Sequence, residues 1–365
     1  MNKPFKPLNK IFYLCPDMKE ASGGINVIYE HVIELNKNGH NAYVVHLQQS
    51  FGKIDKKFGK DIKYLKFYYL DKMFKLEEGV PKEKIYNFMP DDIIVIPEGF
   101  MNFFQLFKQF EVKSKKVLFA QGWSYIIPSM MTAFKQVVPF AALEIDKVMT
   151  VSDKVTQFIK DLNTNQPLDE KTIVKVPNYI DPKLFNTDFG TEEIEEVIET
   201  EDGDLDIKTT SKPKEKKNKI AFMPRKGADL KYFQAISLAQ AMGKLNGWEV
   251  SVIAQKTPEE VAELMKESKI FLNYTDGEGF GLPPLEALMC GCQVVGNAGL
   301  GSEEYLLDTD AYIPIEGDLN NPYNWLDALE KAIKNEDFDY NKGFENDYTK
   351  SNFSKELLGF YNKKS

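Results

Sequence analysis

EGFGLPPLEALMCGC, residues 278 to 292, sets two glutamates with seven residues between them around a Gly-Phe-Gly turn and the start of a helix. The run before it, Ile270 to Thr275, is apolar, and the turn cluster Asp276-Gly277-Glu278-Gly279 closes it. That pattern predicts a short buried strand ending in a glycine loop. Beyond the loop, Pro283 and Pro284 suit the cap and first turn of a helix, where a missing N–H costs nothing. Leu285 to Met289 are good helix formers, and Gly291 stops them. The unit is strand, glycine loop, helix.

Such a unit aims backbone N–H groups and the positive end of a helix dipole at one spot, and its glycines let a ligand approach the backbone closely. A diphosphate fits that description. Glu278 is expected in the loop and Glu286 in the first helical turn, with Leu282 at the helix start, so both carboxylates can border one pocket as acceptors for hydroxyl groups. Taken singly, Glu286 reads first as a complement to the helix dipole, worth about 0.3–1 kcal/mol, and Glu278 as an ordinary turn acid. The pair, the glycines and the prolines together resemble the Glu-x7-Glu signature of retaining GT-B glycosyltransferases, especially glycosyltransferase family 4. The resemblance implies that Glu278, with the amides around Gly279, Phe280 and Gly281, holds the transferred sugar, and that Glu286 holds the nucleotide ribose.

With 365 residues, the chain is long enough for two domains, each with its own core. Its net charge of -9 argues against general nucleic-acid binding. Cys15, Cys290 and Cys292 have no metal-ligand spacing, and only three histidines are present to support a site. Residues 1 to 10 contain no apolar core of a signal peptide, and no run of about 18 apolar residues marks a membrane span. A reducing, cytoplasmic location is expected, with association at the inner face of a membrane left open.

Toward the amino end, Lys10 to Cys15 reads as a buried strand. It is followed by the turn-rich Pro16 to Gly24 and by a helix with Ile25, Ile28, Val32 and Leu35 at helical spacing. Asn38-Gly39 stops the helix before the strand Ala42 to Val45, completing a βαβ unit. Gly23-Gly24 sits where doubly wound sheets bind phosphates or merely keep loops thin, and it is not a Gly-x-Gly-x-x-Gly fingerprint. Further strands are expected at 93–96, 117–120, 147–151 and 173–176, and the alternation implies a parallel sheet. Phe103, Phe104, Phe107, Met130, Met131 and Phe134 suit core packing first, and an acceptor groove for a lipid or sugar ring second. Gln121 ends the strand 117–120. The resemblance places Gly23-Gly24 beside the donor phosphates and acceptor. It gives Gln121 the position where many family members carry a histidine near the transferred sugar; glutamine can hydrogen-bond a hydroxyl but cannot titrate.

Val148 to Asp153 and Val176 to Asp181 also resemble the family, the latter its interdomain hinge with Tyr179 in place of glycine. Residues 190 to 218 run from acidic to lysine-rich, with no amphipathic core segment, and read as a mobile loop or an extended charged hairpin. The second domain opens with the strand 219–223, which delivers Arg225 and Lys226. A planar fork of donors and a mobile point charge suit a diphosphate there. A helix from Asp229 to about Leu245, a strand at 250–254 and a helix capped by the Thr257/Glu260 box lead to the central stretch. The strand 293–296, a helix from Ser302 and a terminal helix over 352–361 follow it.

The domains expected are 1–180, an acceptor domain; 181–345, a donor domain carrying the insert 190–218; and 346–365, a helix crossing back to the first. The fold class implied is α/β, two Rossmann-like domains facing across a cleft. The activity implied is sugar transfer from a nucleoside-diphosphate-sugar to an acceptor hydroxyl of a glycan or lipid, with retained configuration. Arg225, Lys226 and the helix start would neutralise the leaving diphosphate. No metal is expected, since Asp202-Gly203-Asp204 lies in the charged insert, and no cofactor beyond the donor. A nucleotide-sugar epimerase and a non-catalytic binding subunit are the alternatives. Product analysis with and without acceptor separates them.

Overall fold

The computed structural model describes residues 9–17, 23–47, 63–70, 88–163, 168–199, 205–224, 229–275 and 277–362. Internal contacts divide the chain into two units. The first is Met1–Tyr179 with Gly277–Phe280 and Tyr348–Ser365, and the second is Ile180–Asp276 with Gly281–Asp347. The expected second domain thus lacks the four residues of the central loop, which group with the first unit.

The first unit is a seven-stranded sheet of β1 (Lys10–Cys15), β2 (Asn41–His46), β3 (Phe67–Tyr69), β4 (Ile93–Pro97), β5 (Lys115–Ala120), β6 (Lys147–Thr150) and β7 (Ile173–Lys175). Its order is β3-β2-β1-β4-β5-β6-β7, every pair parallel. A sheet covered on both faces needs strands apolar on both sides. Ile11 to Cys15 are accordingly all buried. The helices are α1 (Gly23–Lys37), α2 (Asn102–Gln109), α3 (Ile126–Phe134) and α4 (Asp153–Leu162). β3 was not foreseen in the sequence. Gly23-Gly24, expected as a loop, forms the first two residues of α1.

In the second unit, β8 (Thr191–Glu199) and β9 (Leu205–Pro213) form a regular antiparallel hairpin, so the insert takes the hairpin alternative. The unit's parallel sheet comprises β10 (Lys217–Phe222), β11 (Glu249–Val252), β12 (Ser268–Tyr274), β13 (Gln293–Asn297) and β14 (Tyr312–Pro314), in the order β11-β10-β12-β13-β14. Its helices are α5 (Asp229–Ala241), α6 (Pro258–Glu267), α7 (Leu282–Met289), α8 (Gly299–Leu306) and α9 (Pro322–Ile333). α5 stops four residues short of the expected Leu245, and α8 starts at Gly299 rather than Ser302. The capping box forms as read: Glu260 N–H donates to Thr257 Oγ1 and Thr257 N–H to the Glu260 carboxylate. Trp325 is buried among Ile220, Phe222, Tyr232, Ile270 and Leu272, the core beneath the strand that leads to the central loop.

The terminal helix α10 (Lys350–Asn362) packs in the first unit, burying Phe353, Leu357 and Phe360. Tyr361 Oη lies 2.7 Å from Tyr13 Oη, which lies 3.1 Å from His31 Nδ1, and Ser354 Oγ donates to Glu34 Oε1 at 2.6 Å. A helix at the end of the chain is therefore tied into the centre of the first sheet.

Candidate functional site

The carboxyl ends of adjacent strands β4, β5 and β6 carry Glu98, Gln121 and Ser152, and this edge of a doubly wound sheet is where ligands bind. Glu98 is buried, and its Oε2 accepts the Gln121 N–H at 3.1 Å. The Gln121 carboxamide lies against Gly24: a Cβ there would sit 3.2 Å from Gln121 Oε1. Two of the residues singled out in sequence, 97 positions apart, thus share one corner of the first unit.

The loop Gly277–Phe280 joins them in that unit. Ser124 Oγ donates to Gly277 C=O at 2.9 Å and Ser152 Oγ to Gly279 C=O at 2.5 Å. Ser152 also caps α4 by accepting the Val155 N–H at 3.2 Å, so its hydroxyl uses both of its capacities. Gly279 packs on the chain at Gln121 so closely that a Cβ would fall 1.9 Å from Gln121 O. Only glycine fits there. The peptide group is planar and trans, so C=O and N–H point opposite ways. Tying the carbonyls of Gly277 and Gly279 therefore turns the N–H groups of Glu278 and Phe280 away from the two serines.

The second unit repeats the device at Gly281, whose carbonyl accepts from Tyr305 Oη. Gly281 caps α7 at φ 78°, a left-handed conformation, and a Cβ there would sit 2.1 Å from Ser302 Oγ. Just upstream, Asn297 clamps the end of β12: its Oδ1 accepts the Thr275 N–H at 2.9 Å and its Nδ2 donates to Thr275 C=O at 2.7 Å.

Several expectations need adjustment. α7 opens at Leu282, so Glu286 is its fifth residue and stands in the second turn, not the first. Pro283 and Pro284 occupy the second and third positions, which removes two N–H donors from the helix start. The unpaired amides at this point therefore belong mainly to the loop. The Phe280 ring is buried against Tyr348, 4.9 Å between centroids at 74°, leaving only its backbone to meet a ligand. Glu278 and Glu286 are both half-buried. Of the aromatic and methionine cluster, Phe103, Phe104, Phe107 and Met130 are core, while Met131 is 45% exposed. Arg225 and Lys226 lie outside the described residues. A cation the sequence reading passed over, Lys231, stands at the carboxyl end of β12, with Nζ 2.9 Å from Tyr274 Oη and 4.1 Å from the ring centre.

Residues 211–348, which span α7 and the strands around it, match the family described as glycosyl transferases group 1. The chain is a glycosyltransferase. Its sequence is 25% identical over 292 residues to an alpha-1,6-glucosyltransferase of Actinobacillus pleuropneumoniae serotype 7 (strain AP76), covering 79% of this chain and 72% of that one. A glycosyltransferase of Rickettsia africae ESF-5 superposes with TM-score 0.60 at 14% identity, covering 98% of this chain and all of the other. The Anabaena protein HepE, solved in complex with UDP and glucose, gives 0.57 at 10% identity, with coverage of 96% and 94%. The glycosyltransferase thus has the GT-B fold, two units each built on a parallel sheet. None of its described helices is long and apolar enough to cross a membrane.

Proposed function

We propose that the enzyme transfers a hexose from a nucleoside-diphosphate-sugar to a hydroxyl of a glycan or lipid acceptor, with retained anomeric configuration, as in glycosyltransferase family 4. The observation that carries this reading is the tied glycine loop. Three hydroxyls, from Ser124, Ser152 and Tyr305, hold alternate carbonyls of Gly277, Gly279 and Gly281. The amides of Glu278, Phe280 and Leu282 are then fixed in direction before any ligand arrives, which is what electrostatic stabilisation of a developing charge requires. In this reading Glu278 accepts from hydroxyls of the sugar and Glu286 from the ribose. Arg225 and Lys226, with Lys231 close by in sequence, balance the diphosphate as it leaves, the task a metal performs in other transferases. Gln121, set against Gly24, donates to the sugar. It cannot titrate, and in this reading, as in glycosyltransferase family 4, the departing phosphate helps take the acceptor proton.

The related alpha-1,6-glucosyltransferase supports glucose as the sugar, and the HepE complex supports UDP as its carrier. The test is product analysis by NMR with UDP-glucose and a panel of glucoside, glycan and lipid acceptors. A new glycoside whose anomeric coupling matches the α configuration of the donor supports the reading. A product of inverted configuration contradicts retention. An altered sugar nucleotide formed without acceptor contradicts transfer.

A further inference from the structure

The second unit leaves one sheet edge and one helix face without a partner among the described residues. β11 stands at the end of its sheet, bonded on one side only, to β10. Ile253 N–H donates to Phe222 C=O at 2.8 Å, so residues 251 and 253 turn their polar groups to β10, and alternation turns those of Val250 and Val252 outward. Such a row is a template for another strand, and proteins blunt it with lysine, proline or a charge. β11 has no lysine and no proline. Its one charge, Glu249, is held by Lys219 at 3.5 Å and lies on the face opposite to Val250 and Val252. Val250 packs against the core under α5, which places Val252, 42% exposed, on the α5 side as well.

α5 covers that side of the strand. Its inner face buries Tyr232, Ala235, Ile236 and Ala239, and α9, which packs on β13 and β14, flanks it on the side away from the edge. Its outer face carries Leu230, Phe233, Gln234, Ser237, Gln240 and Ala241, all exposed and none charged. An exterior helix ordinarily turns charge to water. From Leu230 to Trp248 there is no carboxylate, and the two lysines are engaged, Lys231 with Tyr274 at 2.9 Å and Lys244 with Glu330 at 3.3 Å.

We propose that two copies of the chain pair here, β11 against β11 in antiparallel fashion and α5 against α5, about a two-fold axis at Ser251. A two-fold contact sets a surface against itself, so a charge near the axis would meet its like. A chain of net charge -9 repels its own copy, and a face without carboxylates is where that repulsion is least. The same neutrality leaves nothing to attract a nucleic acid, an anionic lipid or a charged peptide. Outward groups must meet outward groups, and the register centred on Ser251 achieves this with both valines: Val250 lies opposite Val252 of the second copy. Ser251 then lies opposite itself and Glu249 opposite Ile253, so no like charges face each other. The two five-stranded sheets become one, and the valines close an apolar seam beneath the paired helices. The small side chains of Ser237 and Ala241 let those helices approach closely. The inference does not rest on the transfer reaction, since association is read as mass.

The experiment is sedimentation velocity of the full chain across a dilution series. Wild type should sediment at twice the 41.8 kDa of one chain and dissociate on dilution. Ser237→Glu with Ala241→Glu brings like charges together across the axis and should weaken association at least about tenfold. Val252→Pro removes an outward N–H and leaves the bonds to β10 intact, so it should weaken the dimer comparably while the unit stays folded. Unchanged circular dichroism and Tm establish that both variants fold. Ser251→Cys reads the register. The β-carbons of directly opposed residues lie about 4.5–5.5 Å apart, closest in a non-hydrogen-bonded pair such as this, so a mild thiol oxidant should link two chains. The native cysteines are all buried and do not compete. Three results would overturn the proposal: wild type that stays monomeric at the highest concentration, a dimer that either charge or proline variant leaves intact, or a Ser251→Cys dimer that the oxidant does not link.

Discussion

Replacing Ser152 should separate two structures that a single hydroxyl holds. Ser152→Ala removes the cap of α4, at a cost of about 1 kcal/mol. It also strips the donor from the Gly279 carbonyl, at about 1–3 kcal/mol for a buried acceptor left unmet. Together the loss is about 2–4 kcal/mol. Ser152→Gly is different, because glycine at a cap costs only a few tenths of a kcal/mol. It keeps α4 and still loses the bond to Gly279, which lies at 2.5 Å in the native protein. Hydrogen exchange followed by mass spectrometry reads the two effects apart. The alanine variant should speed exchange in both α4 and the loop around Gly277–Phe280. The glycine variant should speed it in the loop alone, by roughly fivefold or more for each kcal/mol lost. Sugar transfer should fall in both variants by a similar factor, about tenfold or more, because a released peptide group no longer aims the Phe280 amide. A glycine variant with native loop exchange and native transfer would refute the reasoning.

Other outcomes are fixed by the same geometry. Glu278→Gln should reduce kcat by about 10²–10³, with donor binding largely kept, as measured by initial rates and calorimetry; undiminished transfer removes Glu278 from the reaction. Gly281→Ala should destabilise the second unit by about 1–2 kcal/mol for the left-handed backbone alone, plus the clash with Ser302. In urea unfolding the double variant with Ser302→Ala should recover the clash part only, and full recovery would deny the backbone strain. Burial holds His31 neutral, its pKa lowered to about 3 from an ordinary 6.5. The unfolded chain then binds the extra proton first, so this contribution is complete above pH about 6.5 and is lost as pH falls toward 3, at up to about 1.4 kcal/mol per pH unit. His31→Phe should flatten the acid limb of the stability profile, and an unchanged limb would place its cause elsewhere.

The motif unit and the alternation of strands were legible in the sequence because both are local. Ile270 to Thr275, Gly281 and the Thr257 box each declare themselves within a few residues. The supports of the loop were not legible. Ser124 and Ser152 meet Gly277 and Gly279 across 153 and 127 positions, and a serine after a strand looks the same whether or not it has a distant partner. Ser152 carried half a signal, since its role as a helix cap could be read from the Ser-Asp that follows β6. Glu286 was set one turn too early because the paired prolines looked like the start of the helix, whereas Gly281 caps it and Leu282 opens it. Strand β3 has three residues, too few for alternation to show. The uncharged outer face of α5 was also hidden, because a helix without charge reads as core until its neighbours are known.

The central claim is a site for a sugar nucleotide built on residues 278–286 and the basic pair before α5. Its most direct test is ligand-observed NMR with UDP-, GDP-, ADP- and dTDP-sugars, each beside its free nucleotide, on the native protein and on Arg225→Ala. The account predicts selective binding of one sugar nucleotide, weakened roughly 10- to 100-fold by the loss of charge-assisted hydrogen bonds in the variant. Folded protein that binds none of them, or a variant that binds as well as the native chain, would contradict it.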